Sequence, residues 1–263
     1  MVKLPPRPVD SHKGTYGTLA VIGGQLNDDH VMLGSAAFAA EAALRVGVGK
    51  AIFVGSAHIT TKLVELVPQA VGISTDLFGK MHSDIDAFVV GPGLGVTDYS
   101  YRMINALLEL QNPTVIDADG LNVLVKHPEL FKKIHERCVF TPHPIELSKL
   151  LQAANVRQAD ELAKQLGCTI VAKSHRTEIF GEEHFELNKP NPVLATSGSG
   201  DVLSGLIGGL LAQYHPDLSV FECAKLAVQI HSEAADLWRQ NNADRGLLIP
   251  ELIDQIPKTI QKQ

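Results

Sequence analysis

Cysteine is scarce in this chain. Its 263 residues include three, Cys138, Cys168 and Cys223, an odd number scattered without a CxxC pair. That pattern indicates neither a disulfide framework nor a thiolate zinc site, and it fits reduced thiols in the cytosol. Basic clusters are missing too. Lys and Arg total 23 against 29 Asp and Glu, a net charge of −6, and no long Lys/Arg run stands out. This argues against nucleic acid as the main partner, while leaving room for anionic small ligands held by backbone N–H groups. No apolar run approaches the ~20 residues of a membrane helix. The most apolar stretch, Val202–Ala212, is short and carries three glycines. The opening "MVKLPPRPVDSHKGTYG" is polar and proline-rich and has no apolar h-region, so it does not read as a signal peptide and the expected location is cytoplasmic. Internal repeats, low-complexity tracts and linkers are absent as well.

What is present is a 45% hydrophobic composition, enough for a sizeable core, and an alternation of short β-rich runs with helical patterns. "TLAVIGG", "KAIFVGS", "AVGIS", "DAFVVGPG", "TVIDADG", "CVFTP" and "CTIVAKS" read as strands, and "TEIFGEEHFELN" as a hairpin turning at Gly181–Glu183. Between them lie a small-residue helix closing on Gly47, a helix over His58–Val67 capped by Ser56, and one with Tyr101, Ile104, Leu107 and Leu108 on a single face. A further helix falls near Leu121–Lys126, and two lie between Pro144 and Leu166. The last third is helical, with a stripe of Ala227, Ile230, Ala234, Leu237 and Trp238, and with Pro250 opening a final helix. Alternating strands and helices predict one α/β domain over residues 1–263, three-layered α/β/α, with a mainly parallel central sheet.

In such sheets ligands sit at the carboxyl ends of the strands. "GPGLG" (Gly91–Gly95), "DADGLN" (Asp117–Asn122), "TPHPIE" (Thr141–Glu146) and "KSHRT" (Lys173–Thr177) each follow a strand, so all four fall on one edge. "TSGSGD" opens a helix and joins them. Its glycines allow close approach of backbone N–H groups, and a helix N-terminus suits an anion. Asp201 in that first turn stands where it can accept a proton from a hydroxyl beside a bound phosphate.

Each motif also has a plainer reading. "TSGSGD" is read equally as a helix start whose Gly205, Gly208 and Gly209 serve packing. His143, between two prolines, is read as a rigid turn residue, and Asp117 and Asp119 as helix caps. Lys173 is read as a surface lysine with its stem laid on apolar atoms, and Glu146 as a first-turn charge that suits the helix dipole.

Taken in order, "KGTYGTLAVIGG", "GPGLG", "DADGLN", "TPHPIE" and "TSGSGDVLSG" resemble the ADP/ATP-dependent NAD(P)H-hydrate dehydratases, which have a ribokinase-like fold. The resemblance spans Lys13 to Ala235. It implies repair of NADH or NADPH that has gained water across the nicotinamide ring. The ring hydroxyl is phosphorylated by ADP or ATP with Mg²⁺, and loss of phosphate restores the double bond. Relatives also occur fused to an epimerase domain; the resemblance here implies the stand-alone dehydratase, in a homo-oligomer.

By the same resemblance, Asp201 matches the base and a substrate contact, and Gly198, Ser199 and Gly200 match the anion hole. Lys173, Ser174, His175, Arg176 and Thr177 match the segment that holds the AMP part of the nucleotide. His143, Gly93 or Gly95, and Ser35 or Ala36 match contacts to the hydrated dinucleotide. Asn122 and Glu146 lie in matching motifs, with Glu146 organising Mg²⁺ through water. Two departures from the family pattern stand out. "GGQLNDDHVMLGSA" carries Gln25, an acidic insert and Ser35 in place of the usual Gly-Ser start and Gly-Ala pair. Lys173–Ser174 replaces Lys-Gly, which predicts backbone strain at Ser174 if a positive φ is kept.

The competing readings are a vitamin-precursor or sugar kinase of the same fold, an NAD-dependent dehydrogenase, and a catalytically silent nucleotide sensor. The dehydrogenase is disfavoured because no G-x-G-x-x-G opens a helix after the first strand, and "GPGLG" has the wrong spacing. Asp201 argues against the sensor. Product analysis separates the kinase from the dehydratase.

Overall fold

The structure is a computed structural model that describes residues 3–27 and 30–260. Asp28 and Asp29 of the acidic insert lie outside the described residues. Seven strands run parallel: β1 (Thr18–Ile22), β2 (Lys50–Gly55), β3 (Val71–Ser74), β4 (Ala87–Val90), β5 (Thr114–Ile116), β6 (Cys138–Phe140) and β7 (Thr169–Ala172). Two antiparallel strands, β8 (Thr177–Phe180) and β9 (His184–Leu187), extend one side. The sheet order is β3-β2-β1-β4-β5-β6-β7-β8-β9. The chain first winds outward from β1 to β3, then returns to pair β4 on the other side of β1. The topological switch point therefore lies between β1 and β4, where a crevice opens at the strand ends.

Helices cover both faces. One layer holds α1 (Leu33–Val46), α2 (Ala57–Leu66), α8 (Ser199–Tyr214), α9 (Val220–Arg239) and α10 (Ile249–Thr259). The other holds α3 (Thr75–Met81), α4 (Asp98–Leu110), α5 (Asp119–Lys126), α6 (Pro144–Ala154) and α7 (Ala159–Leu166). The period-2 geometry of a strand divides its side chains between two cores. Leu19, Val21, Ala87 and Val89 enter the first core, and Ala20, Ile22, Phe88 and Val90 the second. All five residues of β1 are buried, which is why "TLAVI" is apolar without alternation.

Local signals set the helix ends. Gly47 closes α1 in the left-handed region at φ 109°. Ser56 caps α2, which starts one residue before the expected His58. In α4, Ile104, Leu107 and Leu108 are buried as their spacing implies. In α9, Ala227, Ile230, Ala234 and Trp238 are buried. The hairpin and the helix opening near Pro250 stand as expected. Sequence periodicity misses α3, a seven-residue helix too short to show a repeat. It is anchored by Phe78, edge-on to Phe88 at 5.9 Å. Among the described residues no helix is long and apolar enough to cross a membrane, and the apolar run Val202–Ala212 lies inside α8.

Candidate active site

The four strand-end motifs and the start of α8 do meet on one edge. Gly198 turns the chain into α8 with φ 96°, and a Cβ there would stand 2.8 Å from Ile249 and 3.0 Å from Phe38. Only glycine fits both constraints. Ser199, Gly200 and Asp201 then form the first turn, whose N–H groups have no intrahelical acceptor.

The loops after β4 and β5 interlock. Gly91 has φ 120°, and a Cβ on it would lie 1.9 Å from the carbonyl oxygen of Asp117. The second loop carries strain: Ala118, a non-glycine residue, holds φ 48° and ψ −118°. Such a conformation costs about 1–3 kcal/mol and persists where surrounding contacts enforce it. Here they do. Ala118 donates its N–H to Oδ1 of Asp117 at 2.9 Å, and the Asp117 carbonyl accepts the N–H of Gly120 at 2.9 Å. Asp119 Oδ2 accepts the N–H of Gly95 at 2.8 Å.

Asp117 is almost fully buried and pairs with Lys173, whose Nζ lies 2.8 Å from Oδ1. The Lys173 side chain is only one-fifth exposed, so it is no surface lysine. The caps predicted at Asp117 and Asp119 are not the arrangement found: Ala118 occupies the N-cap position of α5 and offers no side-chain cap. Lys173 also reaches α8, because a Cβ on Gly200 would stand 3.0 Å from Nζ. The ammonium thus bridges the β5 loop and the helix start, and its own backbone N–H ties to the Pro142 carbonyl at 2.9 Å.

Asp201 sits in this charged setting. Burial raises its pKa to about 6, and the nearby carboxylates of Asp117 and, less, Asp119 add to the rise. A hydrogen bond from the Ser35 hydroxyl and the Lys173 ammonium oppose it. A carboxyl poised near neutrality is a better proton acceptor than an ordinary aspartate, since a general base works best with a pKa near the working pH. Of the pair Ser35 and Ala36, Ser35 meets Asp201, while Ala36 is fully buried against Gly23. Gly93 packs under Met32 and Ser35.

His143 and Glu146 form the N-terminal capping box of α6. His143 Nδ1 accepts the N–H groups of Ile145 and Glu146, and Glu146 Oε2 accepts the His143 N–H at 2.9 Å. The imidazole remains half exposed, whereas the Glu146 carboxylate is buried. The pair thus caps α6, a role beyond that of a rigid turn residue or a charge matched to the helix dipole. Asn122 turns back onto the Ala118 carbonyl at 3.3 Å.

Beside the cradle lies a cavity of about 480 Å³ whose walls include Lys173, Ser174, His175, Thr177, Leu203 and His231. Arg176 is not among its walls; it points toward Glu186, 3.9 Å away. Ser174 keeps a negative φ, so the strain expected there does not arise, and its Oγ accepts the Arg176 N–H at 3.1 Å. Sequence reasoning missed three members of the site. Asp117 and Asp119 were legible only as caps, and His231 lies in the helical last third with no motif around it. Among the described residues no group of three or more His, Cys, Asp or Glu side chains is arranged to hold a metal ion.

Comparison with known proteins gives a consistent result. A family model for NAD(P)H-hydrate dehydratase matches residues 19–258. The ADP-dependent (S)-NAD(P)H-hydrate dehydratase of Neisseria meningitidis is 36% identical over 94% of this chain and 86% of its own length. The bifunctional NAD(P)H-hydrate repair enzyme of Coxiella burnetii is 37% identical over 96% of this chain. The chain spans about half the length of such bifunctional relatives, 52% in this case. Among solved structures, the Bacillus subtilis ADP/ATP-dependent NAD(P)H-hydrate dehydratase co-crystallised with ATP/Mg²⁺ superposes with a TM-score of 0.78. It is 29% identical, with 97% of this chain and 93% of that one covered. A ribokinase-like protein from Enterococcus faecalis reaches 0.84 at 29% identity, over 96% and 89%.

Proposed function

The chain belongs to the NAD(P)H-hydrate dehydratase family, and from that premise we propose that it dehydrates hydrated NADH or NADPH back to the reduced dinucleotide at the expense of ADP or ATP. The observation that carries this reading is the buried Asp201, with a pKa near 6, at the mouth of a glycine-rich helix start beside an ammonium.

The chemistry follows from the geometry. The start of α8 (the N-cap Gly198, then Ser199 and Gly200) offers backbone N–H groups, that of Ser199 shared with the Thr196 carbonyl at 3.4 Å, and the helix dipole to a transferring phosphoryl group. Asp201 takes the proton of the ring hydroxyl as the phosphoryl group arrives. Hydroxide leaves poorly and phosphate leaves well, so phosphorylation converts a stable alcohol into one that eliminates. Ser35 holds the Asp201 carboxyl in place, and Lys173 offsets negative charge between the two loops. In this reading the 480 Å³ cavity takes the nucleotide, against Lys173, Ser174, His175 and Thr177. The hydrated dinucleotide lies toward the switch point, among Ser35, Gly93, Gly95 and the exposed face of His143.

Mg²⁺ fits as an ion carried in on nucleotide phosphates, since the described residues build no cage of their own and Mg²⁺ keeps several waters. Glu146 would hold it through water, and the ion would supply charge neutralisation between phosphates. A single domain over residues 1–263, a homo-oligomeric assembly and a cytoplasmic location complete the reading. The first rests on the alternation of strands and helices without a linker, the second on the family resemblance, and the last is consistent with three free, buried cysteines.

The test is incubation with NADH-hydrate plus ADP or ATP while nicotinamide absorbance and free phosphate are followed together. Both should rise in step. Accumulation of a stable phosphorylated alcohol, or no turnover with either nucleotide, would refute the proposal.

A further inference from the structure

The reaction as derived leaves a buried histidine beside the cradle unused. His231, on α9, is 9% exposed and faces the first turn of α8. Its Nε2 lies 3.0 Å from the carbonyl oxygen of Ser199 and 3.2 Å from Ser199 Oγ. A carbonyl oxygen only accepts, so Nε2 carries the proton and the ring is the neutral Nε2–H tautomer. Burial, with the Lys173 charge acting in the same direction, lowers its pKa to about 4, so the ring stays neutral across the working range. Ser199 is itself 5% exposed.

This contact is unusual for a helix start. First-turn carbonyls already accept an intrahelical N–H, so an added donor from another helix serves to set orientation. Here it fixes the residue that separates Gly198, bent by its positive φ, from Gly200 and Asp201. Small flanking residues allow a turn to rotate, and two glycines on either side of Ser199 leave this turn poorly determined by its own side chains. Ser35 of α1 holds the Asp201 end of this turn, and the restraint on Ser199 comes from His231 of α9.

We infer that His231 is a positioning residue: through Ser199 it holds the first turn of α8 in the orientation at which its N–H groups meet the transferring phosphoryl group. The inference rests on the function proposed above. A turn misplaced by about 1 Å costs on the order of 10²-fold in rate, so loss of the restraint should act on kcat more than on substrate affinity.

The experiment compares His231→Gln with His231→Met in the full-length chain, using NADH-hydrate with ADP, and with Asp201→Asn as the control. Gln carries an amide N–H at about the reach of Nε2, and Met matches its length without a donor. The Met variant should lose about 10–100-fold in kcat, with the KM for the hydrated dinucleotide changed less than threefold, and the Gln variant should recover most of that loss. Equal activities of Gln and Met would overturn the inference. So would a change confined to the KM for ADP, which would make His231 merely a wall of the nucleotide cavity. If the Met variant does not fold, as judged by circular dichroism, Gln is compared with Asn, whose shorter amide cannot reach Ser199. Gln should then exceed Asn, and parity would overturn the inference. An Asp201→Asn variant with near-normal turnover would instead sink the functional reading itself.

Discussion

The two halves of α8 use glycine for opposite purposes. In its body, Gly205, Gly208 and Gly209 exist because something else occupies the space of a side chain. A Cβ on Gly205 would stand 2.1 Å from the carbonyl oxygen of Ala39 on α1. One on Gly208 would stand 2.5 Å from Val89, and one on Gly209 2.9 Å from Val46. The helix is pressed against α1 and the sheet: at Gly205 the neighbour is main chain, which cannot move aside, and at Gly208 and Gly209 the nearest atoms are buried side chains of the packed core. In the first turn the picture reverses. Gly200 has no positive φ, and the contacts its Cβ would meet are the end of the flexible Lys173 side chain, with Nζ at 3.0 Å. Nothing in the fold needs glycine there. The space is open on the side of the charged cluster, as a ligand site requires. One run of small residues thus contains a packing surface and an open face beside the charged cluster, separated by about a helical turn.

The sharpest break of that comparison is at Asp201. Asp201→Asn should lower kcat by about 10²–10⁴-fold, the usual worth of a general base. The same change should stabilise the unliganded protein. The folded-state pKa of about 6 lies above the ordinary 3.8, so the carboxyl costs stability that builds from pH 3.8 and is complete above pH 6. Removing it should add roughly 1–3 kcal/mol at pH 8, shrinking as the pH falls from 6 to 4, where the folded carboxyl is protonated and the unfolded one is only about half ionised, and vanishing well below pH 3.8. Denaturant titrations at the two pH values check this, and a loss of stability at pH 8 would mean that the carboxylate is structural.

Next comes the paired substitution. Gly205→Ala should destabilise by about 2–4 kcal/mol, because the methyl meets main chain, while kcat per folded molecule stays near wild type. Gly200→Ala should leave the melting temperature within a few degrees and lower kcat about 10–100-fold, by pushing the Lys173 ammonium and filling the cradle. Thermal melts beside active-site-normalised rates decide the matter. A swap of the two phenotypes would assign the first turn to packing.

The mildest expected effect is in the pH profile. A base must be deprotonated, so kcat/KM of the free enzyme should level off above pH 6 and fall about tenfold per unit below it. Lys173→Ala should move that inflection upward, because the ammonium lowers the pKa of Asp201. An unmoved inflection would detach Lys173 from the base.

The strands and most helices were legible because their signals are local. A buried parallel strand must be apolar throughout, and a helix announces itself through spacing and caps. The edge location of the motifs was legible too, since parallel strands all point their carboxyl ends one way. His143 and Glu146 show the limit. The same two residues satisfy a capping box and a ligand contact equally well in sequence, and only coordinates reveal the hydrogen bonds that use them.

What the sequence by itself determined is the order of elements, the shared edge and the presence of an acid beside a glycine-rich helix start. Each follows from covalent neighbours within a few residues. What tertiary structure alone decided is which charges meet. Asp117 and Lys173 are 56 residues apart, and Ser199 and His231 are 32 apart, yet each pair lies within hydrogen-bond reach. The pKa of Asp201 depends on Asp117, Ser35, Lys173 and Asp119, which three separate parts of the chain, the β5–α5 connection, α1 and the end of β7, deliver to one point. Electrostatic and hydrogen-bond energies fall off over a few ångströms in space. Distance along the chain carries no information about them until the sheet order brings the strand ends together.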